Sequence, residues 1–285
     1  MFKSLLQKVA ESRQHTIVLG QSGCGKTSLV KALLYYIARS SQKQGARERV
    51  LIIDFDGEYG QSADELPLLL PREVLPQAVA EVVKRESQTS GSSTYAVLKR
   101  AVREASEDGG LEGLLRAVEK LVVLDRLGAT AAWSRLQPLA EAGAELTTLE
   151  RFKDIIAEGG RFNLAPLRSA WNKATAASVL AAAISDVLLS SNSVPTTLVA
   201  EEASFYAPTL TDLVRVGRRR GVKVVRVQQF PDGSEADYPT MFIGPLGPYD
   251  VLYIQKFSLP AYIVKLKPGQ FIAFHNGRWH LYRLF

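Results

Sequence analysis

The chain has one cysteine, Cys24, in 285 residues, and only three histidines, His15, His275 and His280. That excludes a disulfide framework and a cysteine metal cluster, and the histidines show no ligand spacing. Acidic residues are fewer than basic ones: 29 Asp and Glu against 35 Lys and Arg leave a net charge of +6. An excess of that size permits a polyanionic partner without requiring one. Missing too is any uninterrupted apolar run near the roughly 20 residues of a membrane span. The opening MFKSLLQKVAESRQ is charged too early, and its apolar part is too short, for a secretory leader. The expected location is the cytoplasm. The remaining composition, 46% hydrophobic and 22% charged, is ordinary for a globular chain able to bury a substantial core.

What is present begins with Gly20-Gln21-Ser22-Gly23-Cys24-Gly25-Lys26-Thr27, followed by Ser28. An apolar run, Thr16–Leu19, precedes it and a helical pattern, Ser28–Ile37, follows. Strand, glycine-rich loop and helix are the context that a phosphate-binding P-loop requires. Glycines let backbone N–H groups turn inward around phosphate oxygens, and the helix N-terminus adds its positive dipole end. Lys26 is expected to reach the β- and γ-phosphates and the Thr27 hydroxyl to ligate Mg²⁺. A nucleoside triphosphate with Mg²⁺ is the expected cofactor.

Along the chain, residues 2–13 read as an amphipathic helix carrying Phe2, Leu5, Leu6 and Val9 on one side. Val50–Ile53 reads as a buried strand that ends in Asp54-Phe55-Asp56-Gly57-Glu58-Tyr59. From Gln61 to about Gly160 helical patterning takes over, with capping boxes at Ser62–Glu65 and Thr147–Glu150. Helices are expected over Tyr95–Glu107 and Leu111–Leu127, broken by Asp108-Gly109-Gly110, and Gln88–Ser93 reads as a polar connector. Strands resume at Arg161–Leu164, Thr196–Ala200 and Val222–Val227, with a long alanine-rich helix over Ser169–Ser190. The Gly- and Pro-rich stretch from Pro231 to Pro248 reads as irregular, and Val251–Gln255 and Tyr262–Leu266 as short strands. Phe271–Phe274 and Trp279–Arg283 flank Asn276-Gly277, the pattern of a tight hairpin. These patterns predict an α/β protein: a P-loop domain of residues 1–60 and 161–285 with a mostly parallel sheet and a C-terminal antiparallel hairpin. Residues 62–160 form its expected all-α insertion.

Hydrolysis needs an acidic group for Mg²⁺ and another to orient the attacking water. Glu201 and Glu202, directly after the apolar Thr196–Ala200, suit those roles: Glu201 for the metal and Glu202 for the water.

Four stretches taken in order resemble the HerA/FtsK superfamily of ring-forming DNA-pumping ATPases, which includes the VirB-type secretion ATPases. Gly20–Ser28 resembles its Walker A loop, Asp54–Tyr59 its Asp-x-x-Gly-Glu-Tyr element, Leu198–Ala203 its Walker B segment, and Arg215–Pro231 its Gly-Arg-x-x-Gly helix, strand and Gln-containing sensor. Leu266–Phe274 is similar to the Pro-Gly turn near the end of such domains. Two positions depart from the pattern: Glu201 stands where the family has Asp, and Gln228 where it has Thr, whereas Gln229 matches. The resemblance implies a RecA-like domain and catalytic roles for Lys26, Glu202 and Gln229. It also implies an arginine finger at Arg218, or at Arg215, that reaches a neighbour's γ-phosphate. It further implies a homohexameric ring that moves DNA without reading its sequence. The same family offers a conjugation or secretion ATPase acting at a membrane transfer or packaging complex. A third reading, from a different class, is a nucleotide switch that hydrolyses poorly.

Overall fold

The computed structural model describes residues 2–43, 45, 47–87, 91–105, 109–190, 194–247 and 265–284. In chain order the strands are β1 (Thr16–Leu19), β2 (Arg49–Asp54), β3 (Leu69–Pro71), β4 (Glu145–Thr147), β5 (Gly160–Asn163), β6 (Thr196–Ala200), β7 (Val222–Gln228), β8 (Thr240–Ile243), β9 (Gln270–His275) and β10 (Arg278–Arg283). Eight of them form one sheet in the order β10-β9-β8-β1-β7-β6-β2-β5. From β8 to β5 every neighbouring pair is parallel, and β9 and β10 close the sheet as an antiparallel hairpin. The expected α/β architecture is observed.

The parallel strands are covered on both faces, which is why they read as nearly continuous apolar runs. Successive side chains still alternate between two cores. Val18, Ile52, Val199, Val225 and Phe242 pack with α1 (Phe2–Glu11) and α2 (Lys26–Lys43). Ile17, Leu51, Ile53, Leu198 and Val224 face the other way, toward α8 (Ala170–Ser190) and α9 (Thr211–Val216). By length and composition α8 could cross a membrane, but 72% of its apolar window is buried inside the fold. It is apolar all round because it lies between the sheet and further helices.

Those further helices are α3 (Leu75–Ser87), α4 (Gly91–Glu104), α5 (Gly110–Lys120), α6 (Arg126–Glu141) and α7 (Leu149–Ile155). Their apolar faces continue the α8 core without a break, through Val79, Leu98, Leu114 and Leu136. Residues 62–160 are not wholly helical: β3 and β4 pair in parallel with each other, apart from the main sheet. The helix expected after Ser62 does not form. Glu65 instead makes one parallel bridge to Arg161 on the edge strand β5. At the second capping box the cap falls one residue later, where Thr148 Oγ1 accepts from the Arg151 N–H.

A further correction concerns β8. The stretch after Pro231 is not irregular throughout, because Thr240–Ile243 is a fully buried central strand between β1 and β9. Four residues between Pro239 and Gly244 are too few to show a period, and neighbouring strands rather than local propensity make them extended. The expected strands at Val251–Gln255 and over most of Tyr262–Leu266 lie outside the described residues.

Candidate nucleotide-binding site

Because β1, β7, β6 and β2 are parallel, their carboxyl ends meet on one edge, where an open sheet binds ligands. A cleft of about 250 Å³ opens there. Ser22, Gly23, Gly25, Lys26, Thr27 and Ser28 line it from the loop after β1, Asp56 and Glu58 from the loop after β2, Glu201 and Glu202 from the end of β6, and Gln229 from the end of β7.

The P-loop is bent by Gly23 and Gly25, at φ of +73° and +98°, where side chains are strained. Lys26 Nζ donates to the carbonyls of Gly20 (2.9 Å) and Gln21 (3.1 Å), so its ammonium spans the mouth of the loop. It also opens α2, whose first N–H groups lack intrahelical acceptors and carry the positive dipole end. Gly20, Gln21 and Cys24 do not line the cleft; they shape it. A Cβ on Gly20 would come within 2.7 Å of Cys24 Sγ, and the thiol is buried beneath the loop, which pushes its pKa up.

The acidic wall is held by a fully buried carboxylate. Asp54 accepts from the N–H groups of Glu58 (2.9 Å) and Tyr59 (3.0 Å), and from Arg161 Nη1 at 2.9 Å. That network folds the loop so that Asp56 and Glu58 line the cleft. Lys173 of α8 holds Asp56 Oδ1 at 2.7 Å. No sequence signal marks Lys173, since it sits in the first turn of an alanine-rich helix.

Glu201 Oε2 accepts from the Phe55 N–H at 3.1 Å. Burial, with the negative charges of Asp54 and Glu58, pushes its carboxyl up to about 8. Glu202 adopts φ +46°, a left-handed conformation uncommon for a non-glycine residue. Its Oε1 accepts from Gln229 Nε2 at 2.7 Å. Burial raises its pKa as well, opposed by the Gln229 bond and the charge of Lys26. Gln228 turns away: its amide donates to the Phe230 carbonyl at 2.7 Å and its side chain is buried outside the cleft.

The structure thus brings together Lys26, Thr27, Glu201, Glu202 and Gln229, and it does not bring Arg218 to them. Arg218 is exposed in the 3-10 turn Gly217–Arg220, ahead of β7. The seven residues of β7 separate that turn from Gln229, a distance of about 20 Å at strand rise. Arg215, on α9, precedes the same turn.

No cluster of three or more His, Cys, Asp or Glu side chains arranged as a metal cage occurs among the described residues. Mg²⁺ does not need one, since it binds through one or two carboxylates together with substrate phosphates and water. The residues fit that mode: Thr27 and Glu201 line one cleft, and the Glu201 pKa is raised by burial and then by the charges of Asp54 and Glu58, both of which a divalent cation would offset.

Residues 8–153, just over half of the chain, match the family described as helicase HerA, central domain. The fold is similar to that of VirB4 of Thermoanaerobacter pseudethanolicus, with TM-score 0.66 and 16% identity over 95% of this chain and 89% of that one. It is likewise similar to the bacterial conjugative coupling protein TrwBdeltaN70, with TM-score 0.70 and 14% identity over 96% of this chain and 85% of that one. No curated protein matches the chain by sequence. With its P-loop cleft at the carboxyl edge of a RecA-like sheet, the chain belongs to the family of the helicase HerA central domain, among the HerA/FtsK-type P-loop ATPases.

Proposed function

We propose that the chain hydrolyses ATP as one subunit of a homohexameric ring that moves DNA without reading its sequence. The supporting observation is the Glu202–Gln229 hydrogen bond in the same cleft as Lys26 and Thr27. On nucleotide binding Lys26 exchanges its two loop carbonyls for the β- and γ-phosphates, a stronger charge-assisted contact. Thr27 and Glu201 would hold Mg²⁺, which supplies neutralisation of the charge developing on the phosphates. Glu202, kept in place by Gln229, orients the attacking water and takes its proton. Arg218 lies too far from its own cleft to act there, so it serves the neighbouring subunit's γ-phosphate. Sequence-independent grip on DNA needs only cations facing the phosphate backbone.

The test measures ATP turnover with and without duplex DNA. Stimulation by DNA is expected, and Glu202→Gln should bind ATP normally while losing hydrolysis by roughly a hundredfold or more. Wild-type turnover in Glu202→Gln would refute the assignment of the attacking water. A second reading, a conjugation- or secretion-type ATPase at a membrane machine, is favoured by the likeness to VirB4 and TrwBdeltaN70, which takes in nearly the whole chain. Turnover stimulated by a membrane partner but not by DNA would select it. Tight ATP binding with negligible turnover under both conditions would select a nucleotide switch instead.

A further inference from the structure

Helix α1 lies beside the C-terminal hairpin, and an open cavity of about 480 Å³ separates them. It sits at the amino edge of the sheet, away from the nucleotide cleft. Thr240, which begins β8, pairs with His275, and His275 pairs with Arg278, whereas the far end of β8 pairs with Leu19 beside the P-loop.

The chemistry of this cavity is one-sided. Lys8 from α1, His275 from β9, and Arg278 and His280 from β10 all line it, and no carboxylate is among its lining residues. Neither Lys8 nor Arg278 forms an ion pair among the described residues. Arg278 and His280 are alternate residues of the edge strand, so they stand on one face about 7 Å apart. Lys8 approaches from the helix opposite. Both Lys8 and Arg278 are exposed, whereas His275 is buried and held by a 3.0 Å bond between its Nδ1 and Thr240 Oγ1. Thr240 donates its own hydroxyl hydrogen to Gln14 Oε1 at 3.1 Å, so Nδ1 is the donor toward Thr240. Burial lowers the His275 pKa, and the positive charges of Lys8, Lys223 and His280 lower it further. Positive charge from Lys8 and Arg278 therefore gathers at the cavity, with neither cation in an ion pair among the described residues.

We propose that this cavity is a second anion site, in which Lys8, Arg278 and His280 hold a phosphate group. A guanidinium fork, an ammonium and the His280 imidazole, with no carboxylate among the lining residues, match the several oxygens of a phosphate better than a single carboxylate. The phosphate can belong to a nucleic-acid backbone or be free in solution. If it belongs to DNA, the site deepens the DNA reading above; if it is free, the site stands without that reading.

The experiment compares the full chain carrying Lys26→Ala, which weakens phosphate binding at the P-loop, with the same chain carrying Lys8→Gln and Arg278→Gln as well. Inorganic phosphate is titrated by calorimetry, and a short labelled oligonucleotide by anisotropy across a salt series. Both added substitutions are at exposed side chains, and an unchanged thermal midpoint confirms that the fold is retained. A drop of roughly tenfold or more in affinity for either ligand supports the site. If the oligonucleotide is the ligand, the slope of log affinity against log salt should also fall by about 1, because both side chains hold the same phosphate. Loss of phosphate binding with oligonucleotide binding intact assigns a free phosphate and leaves the DNA reading to other surfaces. A Lys8→Arg, Arg278→Lys pair should keep most of the binding. Affinities for both ligands that match the parent chain overturn the proposal.

Discussion

The two edges of one parallel sheet differ in how they hold charge. At the carboxyl edge Asp56 and Glu58 are exposed, but three ionisable groups of the cleft are withdrawn from water: Lys26, Glu201 and Glu202 are all less than a tenth exposed, and each is fixed by hydrogen bonds. At the amino edge Lys8, Arg278 and Arg218–Arg220 stand exposed. Buried, oriented charge acts strongly on a bound ligand, because the surrounding dielectric is low and no reorganisation is needed. Exposed charge is screened and mobile, which suits gripping a polyanion or reaching across to another molecule. The protein holds its most buried cleft charges at one end of these strands and a set of exposed cations at the other.

The largest effect expected on that comparison comes from Lys26→Ala. Removing the ammonium that spans the P-loop mouth should leave no measurable ATP hydrolysis in a phosphate-release assay and weaken ATP binding. Turnover within tenfold of wild type would show that the loop does not grip phosphate through this residue.

Arg218→Ala joins the two edges. The residue lies about 20 Å from its own cleft, so any catalytic role has to be played on a neighbour. ATP binding and assembly should be normal and hydrolysis should drop by roughly a thousandfold. Mixing Arg218→Ala with Lys26→Ala chains should restore part of the rate, since some interfaces then pair an intact P-loop with an intact arginine. If mixed rings form and no rate returns, Arg218 is not the finger, and Arg215 becomes the next residue to test.

A third measurement concerns a buried imidazole at the amino edge. His15 accepts from the Val224 N–H through Nδ1 at 3.0 Å, and burial, with Arg218 and Lys223 nearby, lowers its pKa from 6.5 to about 4. The folded state resists the proton that the unfolded chain accepts first. Stability should therefore be full above pH 6.5 and fall between 6.5 and about 4, with a slope of roughly 1 kcal/mol per pH unit from this group. Denaturant melts of wild type against His15→Gln, which keeps an acceptor for Val224, check it. An identical pH slope in both would remove His15 as the cause.

The smallest effect belongs to Glu201→Asp. It places the Asp of the HerA/FtsK pattern where the proposed function puts Mg²⁺, so steady-state hydrolysis with Mg²⁺ should be kept or raised. A large loss would show that the Phe55 N–H and the Asp54 turn have adapted to the longer acid.

Local chemistry was legible in the sequence wherever a few consecutive residues complete it. The P-loop is one such case: Lys26 bonds the carbonyls of Gly20 and Gln21, and the glycine turns that aim them lie between. The Asn276-Gly277 hairpin is another, with its strands paired as the pattern predicts. The acidic pair was legible too, since an apolar strand ends in Glu201 and Glu202 whatever packs around it.

Only the tertiary structure decided the rest, because it depends on residues distant in the chain. Asp54 is a buried support rather than part of the cleft because Arg161, 107 positions later, pairs with it. Lys173 reaches Asp56 across 117 positions, and the Phe55 N–H meets Glu201 across 146. The resemblance singles out Gln229 over its neighbour Gln228, but only the backbone at the end of β7 gives the physical reason, turning Gln228 into the interior and Gln229 toward Glu202. β8 exists because β1 and β9 supply hydrogen-bond partners on both sides of four residues too short to declare themselves. A chain spells out the bonds it makes to itself within a turn; the bonds it makes across a sheet exist only after the strands have chosen their order.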